Sequence, residues 1–444
     1  MEMLASAKTT IPTHSPTNRG TWRKTLCLLS LAALSLTINS CGGGNDSPQT
    51  AQQIVAQLVQ QGYLKASNTD ANDGFGYSLA LAGDTLVVGA PGEASADGNQ
   101  TDNSAVDSGA VYVFTRTGSN WSQQAYLKAS NTEANDGFGV SVALAGDTLV
   151  VGAPGEASNA TGINNSEVNN NAPNSGAVYV FTRTGTDWSQ QAYVKASNTE
   201  TNDGFGESVA LAGDTLAVGA TGESSDATGI DGGQGNNLAP ESGAVYVFTR
   251  TGSDWTQQAY VKASNTGGVD WFGYSVALAD DTLAVGAIFE ASNATGINGN
   301  QGNNSAPESG AVYVFTRTNE TWVQQAYVKA SNAGAGDLFG SSIALVGDTL
   351  AVGAFGEASA NGNPTNNSAT DSGAAYVFTR TGSEWSQQAY VKASNPGSFD
   401  LFGSSIALSG GTLAVGAFGE ASADGNPTDN NAPDSGAAYI FSLQ

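Results

Sequence analysis

The chain has 444 residues, and its charge is sparse and one-sided: 12% of residues are charged, with 40 Asp+Glu against 15 Lys+Arg for a formal net charge of −25. Gly supplies 57 residues and hydrophobics 40%; the usual Gly share is about 7%, so the composition suits turn-rich β structure and disfavours long helices. Nucleic-acid binding is excluded, because affinity for phosphate backbones comes from Lys and Arg that displace counterions.

From the N-terminus, Arg19, Arg23 and Lys24 precede an apolar run over residues 25–38 that ends in small and polar residues before Cys41. This is the layout of a secretory signal, too short to span a bilayer as a helix of about 20 residues. The tetrapeptide Ile38-Asn39-Ser40-Cys41 resembles the bacterial lipobox, with Asn39 departing from its usual small or aliphatic residue. The resemblance implies cleavage after residue 40 and acylation of Cys41, with residues 41–51, rich in Gly, as a flexible tether. Two or three acyl chains hold a protein stably at a membrane. Gly42 stands where an Asp would imply inner-membrane retention, so the resemblance implies an exported protein held at the outer membrane or cell surface, touching the bilayer only through its lipid. The single histidine, His14, and Cys27 both lie in the removed segment. Histidine-based nucleophile systems, histidine zinc sites and intrachain disulfides are thereby excluded from the mature chain. Carboxylate chemistry and hard-cation binding remain.

From Tyr63 onward the chain repeats. The start Tyr-[Leu/Val]-Lys-Ala-Ser-Asn recurs at Tyr63, Tyr126, Tyr193, Tyr260, Tyr327 and Tyr390. A period above about 40 with several short apolar runs per unit predicts propeller blades. In the first copy, residues 75–82, 85–90, 110–115 and 121–129 read as four strands, rich in aromatic and β-branched residues and bounded by Gly, Asp, Asn or Ser. The last copy stops after its third strand, and residues 52–66 match the missing fourth, with Leu58 in the place of the tryptophan. The expected fold is therefore all-β, over residues 52–444: a six-bladed β-propeller of four-stranded antiparallel blades, closed by the N-terminal strand completing the last blade.

The pairing of Phe75-Gly76 with Gly89-Ala90-Pro91 recurs as Phe138-Gly139 with Gly152-Ala153-Pro154, and Phe-Gly returns at 205, 272, 339 and 402, each with its own Gly-Ala. It resembles the FG-GAP repeat of integrin alpha-subunit propellers and their bacterial relatives. The resemblance implies an extracytoplasmic binding or adhesion propeller. Two features depart from it: integrin propellers have seven blades, and their calcium loops lie between the first and second strands, where this chain has only the turn 82–85. Those ligands do not carry over.

Alternating strand direction puts the short turns on one rim and the long Asp/Asn/Gly loops, such as 67–74 and 93–108, on the other, where function is expected. Asp73, Asp136, Asp203, Asp270, Asp337 and Asp400 each precede Phe-Gly by two residues. They read either as caps bonding nearby backbone amides or as a ring of ligand-binding carboxylates at the axis. Asp97, Asn99 and Asp102, echoed by Asp424, Asn426 and Asp429, place oxygen side chains around a Gly; the pattern suits calcium or a solvated loop. Glu93, Glu156, Glu223, Glu290, Glu357 and Glu420 open the long loops as ligands or as solvation. The lysines of the fourth strand (Lys65, Lys128, Lys195, Lys262, Lys329, Lys392) read as guards of an exposed sheet edge. Trp121, Trp188, Trp255, Trp322 and Trp385 read as core, whereas Trp271, Phe289 and Phe399 break the repeat and are the first choice for an exposed contact.

The functional expectation is a monomeric, lipid-anchored, non-enzymatic module that presents an acidic, loop-rich face to a protein or glycan, with calcium as its candidate cofactor. A glycoside hydrolase or lyase working through two carboxylates and an envelope assembly scaffold are the alternatives. Near-identical blades argue against the enzyme, because a catalytic pair needs unlike surroundings to separate its pKa values.

Overall fold

The computed structural model describes residues 62–360, 362–363, 365–423 and 430–443. These form an all-β six-bladed propeller. In the first blade β1 (Ser78–Ala82), β2 (Thr85–Ala90), β3 (Ala110–Thr117) and β4 (Asn120–Leu127) pair in sequence order, each antiparallel to the next. Four further blades repeat this order, and the sixth contributes Phe402–Ser409, Thr412–Ala417 and Ala437–Ser442. The segment assigned to closing that sheet falls mainly on residues 52–61, outside the described residues. Of its remainder, Leu64 and Ala66 pack against Val88, Ala90 and Tyr112 of the first blade. The leader 1–40, Cys41 and the tether 41–51 lie outside the described residues too.

The first two strands are joined by a tight turn whose first residue, Gly83, has φ 57°; in the fourth blade Asp280 takes that place at φ 50°, and Asp is among the few side chains that tolerate this left-handed region. Between β3 and β4 the register slips once, so that Val113 faces Ala125, Phe114 faces Gln123, and Gln124 is the extra residue. Such a bulge re-aims a side chain. Gln124 Oε1 accepts from Trp188 Nε1 of the next blade at 2.9 Å, and the same bond recurs from Trp255 to Gln191, Trp322 to Gln258 and Trp385 to Gln325. The expected core role of these tryptophans is met, and their Nε1–H groups staple adjacent blades.

The core lies between blades. Val178, Val180 and Val194 of the second pack against Phe205, Leu216 and Tyr246 of the third. Phe205 meets Tyr246 edge-on at 5.4 Å, and Tyr246 meets Tyr260 at 5.3 Å; the same trio recurs in the first, second, fourth and fifth blades. At the axis the backbones approach so closely that a Cβ on Gly219 would lie 2.1 Å from Gly273 O. Gly there is a steric requirement.

Candidate functional site: the long-loop rim

On the short-turn rim the arginines are held by structural contacts. Arg183 pairs with Asp147 at 2.6 Å, lies 5.2 Å from the Trp188 ring and donates to Thr85 Oγ1 of the preceding blade. Arg116, Arg250, Arg317 and Arg380 each keep the Asp and Trp contacts.

On the long-loop rim, five of the six fourth-strand lysines correct the expectation of exposed edge guards; Lys65 is exposed. Lys195, Lys262 and Lys329 are fully buried, and Lys195 Nζ sits 2.8 Å from both Glu156 Oε2 and Ser175 Oγ. Lys128, Lys262, Lys329 and Lys392 repeat this with Glu93, Glu223, Glu290 and Glu357. Burial pushes the Lys195 ammonium down from its ordinary value while Glu156 opposes that shift. Five of the six glutamates that open the long loops are thus counterions of buried lysines, which fixes each loop's root to its blade; Glu420 instead accepts from Asn395 and Ser422. Removing one member would strand a buried charge.

The six aspartates before Phe-Gly are buried, and each carboxylate accepts a backbone N–H three residues earlier: Asp73 from Asp70, Asp136 from Glu133, Asp203 from Glu200, Asp270 from Gly267, Asp337 from Gly334 and Asp400 from Gly397, at 2.6–2.8 Å. That is the capping arrangement. Burial raises Asp136, Asp203, Asp270 and Asp337 to about 7; Asp73 and Asp400 are raised in the same direction.

Asp97, Asn99 and Asp102 lie in one exposed loop and bond within it: Asp97 Oδ1 accepts Asn99 N, Asn99 Oδ1 accepts Thr101, and Asp102 accepts Ser104 N and Oγ. Among the described residues no three acidic side chains converge as a metal site would need. Asp424, Asn426 and Asp429 lie outside the described residues.

The family model for the FG-GAP repeat matches six times, at residues 58–114, 121–181, 188–248, 255–315, 322–378 and 385–441. This chain belongs to the FG-GAP repeat family. Each matched unit opens at the tryptophan of a fourth strand and closes in the third strand of the following blade, and the first opens at Leu58, the residue that stands in the tryptophan's place. No curated protein matches the chain.

Within this FG-GAP propeller one cavity is lined by unlike residues from successive blades. A cavity of about 670 Å³ draws Tyr77 from the first blade, Val140 and Pro154 from the second, Glu207 and Thr221 from the third and Trp271 from the fourth. The residue after Phe-Gly varies freely through the repeats: Tyr77, Val140, Glu207, Tyr274, Ser341, Ser404. Trp271, singled out from the sequence, lies here with Phe289, ring centroids 4.7 Å apart, and stacks on Tyr274 at 6.2 Å and 20°. Phe399 is exposed in the sixth blade. Sequence reasoning did not find Glu207; the available signal was an acid at the variable position of one repeat and a Thr221 hydroxyl where the first two repeats carry Pro91 and Pro154.

Proposed function

We propose that this FG-GAP propeller is a non-enzymatic binding module, exported and held at the envelope by lipid on Cys41, that presents its long-loop rim to a protein or glycan. The observation that carries the reading is the disposition of charge. Five lysines are consumed in buried Lys–Glu pairs and the arginines in Arg–Asp pairs on the other rim, so the long-loop rim is acidic around a non-repetitive cavity lined by no base. A repeated scaffold with one varied surface is the organisation of a recognition domain. Six like aspartates in like capping roles supply no acid–base pair with separated tasks.

The test is saturable binding of the acylated protein and of a Cys41→Ser variant to protein and glycan arrays, with and without a calcium chelator. Binding lost on substituting the long-loop rim (Trp271→Ala) and kept on substituting the short-turn rim (Asp147→Asn) is the expected result. Turnover of an arrayed glycan, or loss confined to the short-turn variant, overturns the reading. Loss with chelator assigns calcium as the cofactor.

A further inference from the structure

The fourth blade is rebuilt around two aromatic residues. In the other blades a Gly follows the residue after Gly-Ala, and a Cβ there would lie 1.9–2.2 Å from a carbonyl oxygen of the preceding loop. The fourth blade carries Phe289 at this position. Its preceding loop also departs from the first three blades: Val269 stands at φ 68°, where they have Asn72, Asn135 and Asn202, and Trp271 at φ 55°, where they have Gly74, Gly137 and Gly204; the last two blades share part of this departure, with Leu338 and Leu401 at φ 57° and Phe399 at φ 69°. A β-branched residue in the left-handed region is strained, and such strain persists where the surroundings over-determine it. The rebuilt loop brings Trp271 beside Phe289 and Tyr274, and Trp271 Nε1 donates to Glu241 Oε2 at 3.2 Å.

The cavity beside this cluster contains two carboxylates, Glu207 and Glu241, and no lysine or arginine. Glu207 accepts a hydrogen bond from Thr221 Oγ1. Its carboxyl is raised from its ordinary value by burial, with only the Thr221 bond opposing the shift and no cation nearby to do so. Five of the glutamates at the loop roots meet the same difficulty with a lysine; Glu207 does not. Burial raises the Tyr274 hydroxyl from its ordinary value, and the Glu207 carboxylate adds to that shift. Aromatic faces together with carboxylates and no base make a receptor for an organic cation, attracted by the ring quadrupoles and by the uncompensated acids.

We propose that the axial cavity between Tyr77, Glu207, Glu241 and Trp271 binds an alkylammonium or guanidinium group. This deepens the binding-module reading and rests on it: the group belongs either to a free small amine or to a Lys- or Arg-bearing segment of a partner protein.

The full-length protein is titrated with 1,5-diaminopentane, with a Lys/Arg-containing peptide, and with 1,5-pentanediol as the uncharged match, following tryptophan fluorescence and heat. Saturable binding of a cation, absent for the diol and weakened at least tenfold by Glu207→Gln, is expected; Trp271→Phe keeps most of the affinity and Trp271→Ala loses it, with unchanged melting checked for each. Affinity falls as pH drops and Glu207 is protonated. Binding of the diamine alone assigns a free amine, and binding of the peptide assigns a protein partner. Equal binding of the diol, or cation binding indifferent to Glu207→Gln, overturns the proposal. If the arrays find a ligand whose binding ignores Glu207→Gln, the module stands and the cation site falls; if the diamine binds but no array ligand exists, the site stands and the module falls.

Discussion

At the seam between the second and third blades, Ser141 Oγ donates to Gly206 O at 2.7 Å, and a Cβ on Gly152 would meet that oxygen at 2.0 Å. The same Ser-to-Gly bond crosses the four other seams between consecutive blades. Between the sixth blade and the first, the matching residues among those described stand apart: Ser405 is exposed, and a Cβ on Gly76 would meet none of the described atoms within 4 Å. Tyr77, Leu79 and Leu81 on one side and Ile440 on the other are exposed. Glu420 is buried with Ser422 and Asn395, while Lys65, at the repeat position of its expected lysine, is exposed. The two regions carry the same residue types, so the difference teaches that a blade's burial is supplied by its neighbour and not by its own sheet. The short-range pattern makes the blade; the seam makes the core.

The sharpest way to break this comparison is at the buried pairs. Lys262→Met strands Glu223 without its cation and is expected to lower stability by about 3–5 kcal/mol in denaturant unfolding, whereas Lys65→Met leaves the midpoint unchanged. Equal losses would mean that Lys65 meets Glu420 in solution and the sixth seam is made like the others. Next is the apolar face: Leu345, 8% exposed, and Leu81, 65% exposed, occupy the same repeat position. Leu345→Ala is expected to cost about 2–5 kcal/mol, and Leu81→Ala a small fraction of that in the same unfolding curve. Gly219→Ala drives a methyl into backbone and should cost about 1–3 kcal/mol. Gly416→Ala meets only the movable Ser405 Oγ, and a thermal melt should separate the two. The last comparison is in pH. Asp136, Asp203, Asp270 and Asp337 are raised to about 7 from an unfolded value of 3.8. The folded state therefore holds more protons, and the stability they add is fully present below the unfolded value and lost as pH rises toward 7. The melting midpoint should fall between pH 5 and 8 at constant ionic strength, and Asp203→Asn should flatten that slope more than Asp73→Asn.

Six blades, the four-strand unit, the two unlike rims and the packing role of the repeated tryptophans were legible because a period of 63 to 67 residues with alternating strands repeats the same local chemistry six times. The capping role of the aspartates was legible as one of two readings, since an Asp three residues beyond an amide can reach it in a turn. The burial of the lysines was not legible. Lys195 and Glu156 are 39 residues apart, and an edge position in a strand says nothing about which loop folds over it.

By itself the sequence determined the repeat, the strands within it, the acidity of the chain and the absence of imidazole beyond His14, since each follows from residue identity and short-range periodicity. Only the tertiary structure decided which charges are spent on one another and which are left over. Tyr77 and Trp271 come from blades almost 200 residues apart, and their meeting at one cavity with Glu207 depends on how successive blades turn about the axis, a geometry set by backbone contacts across seams that no single repeat contains.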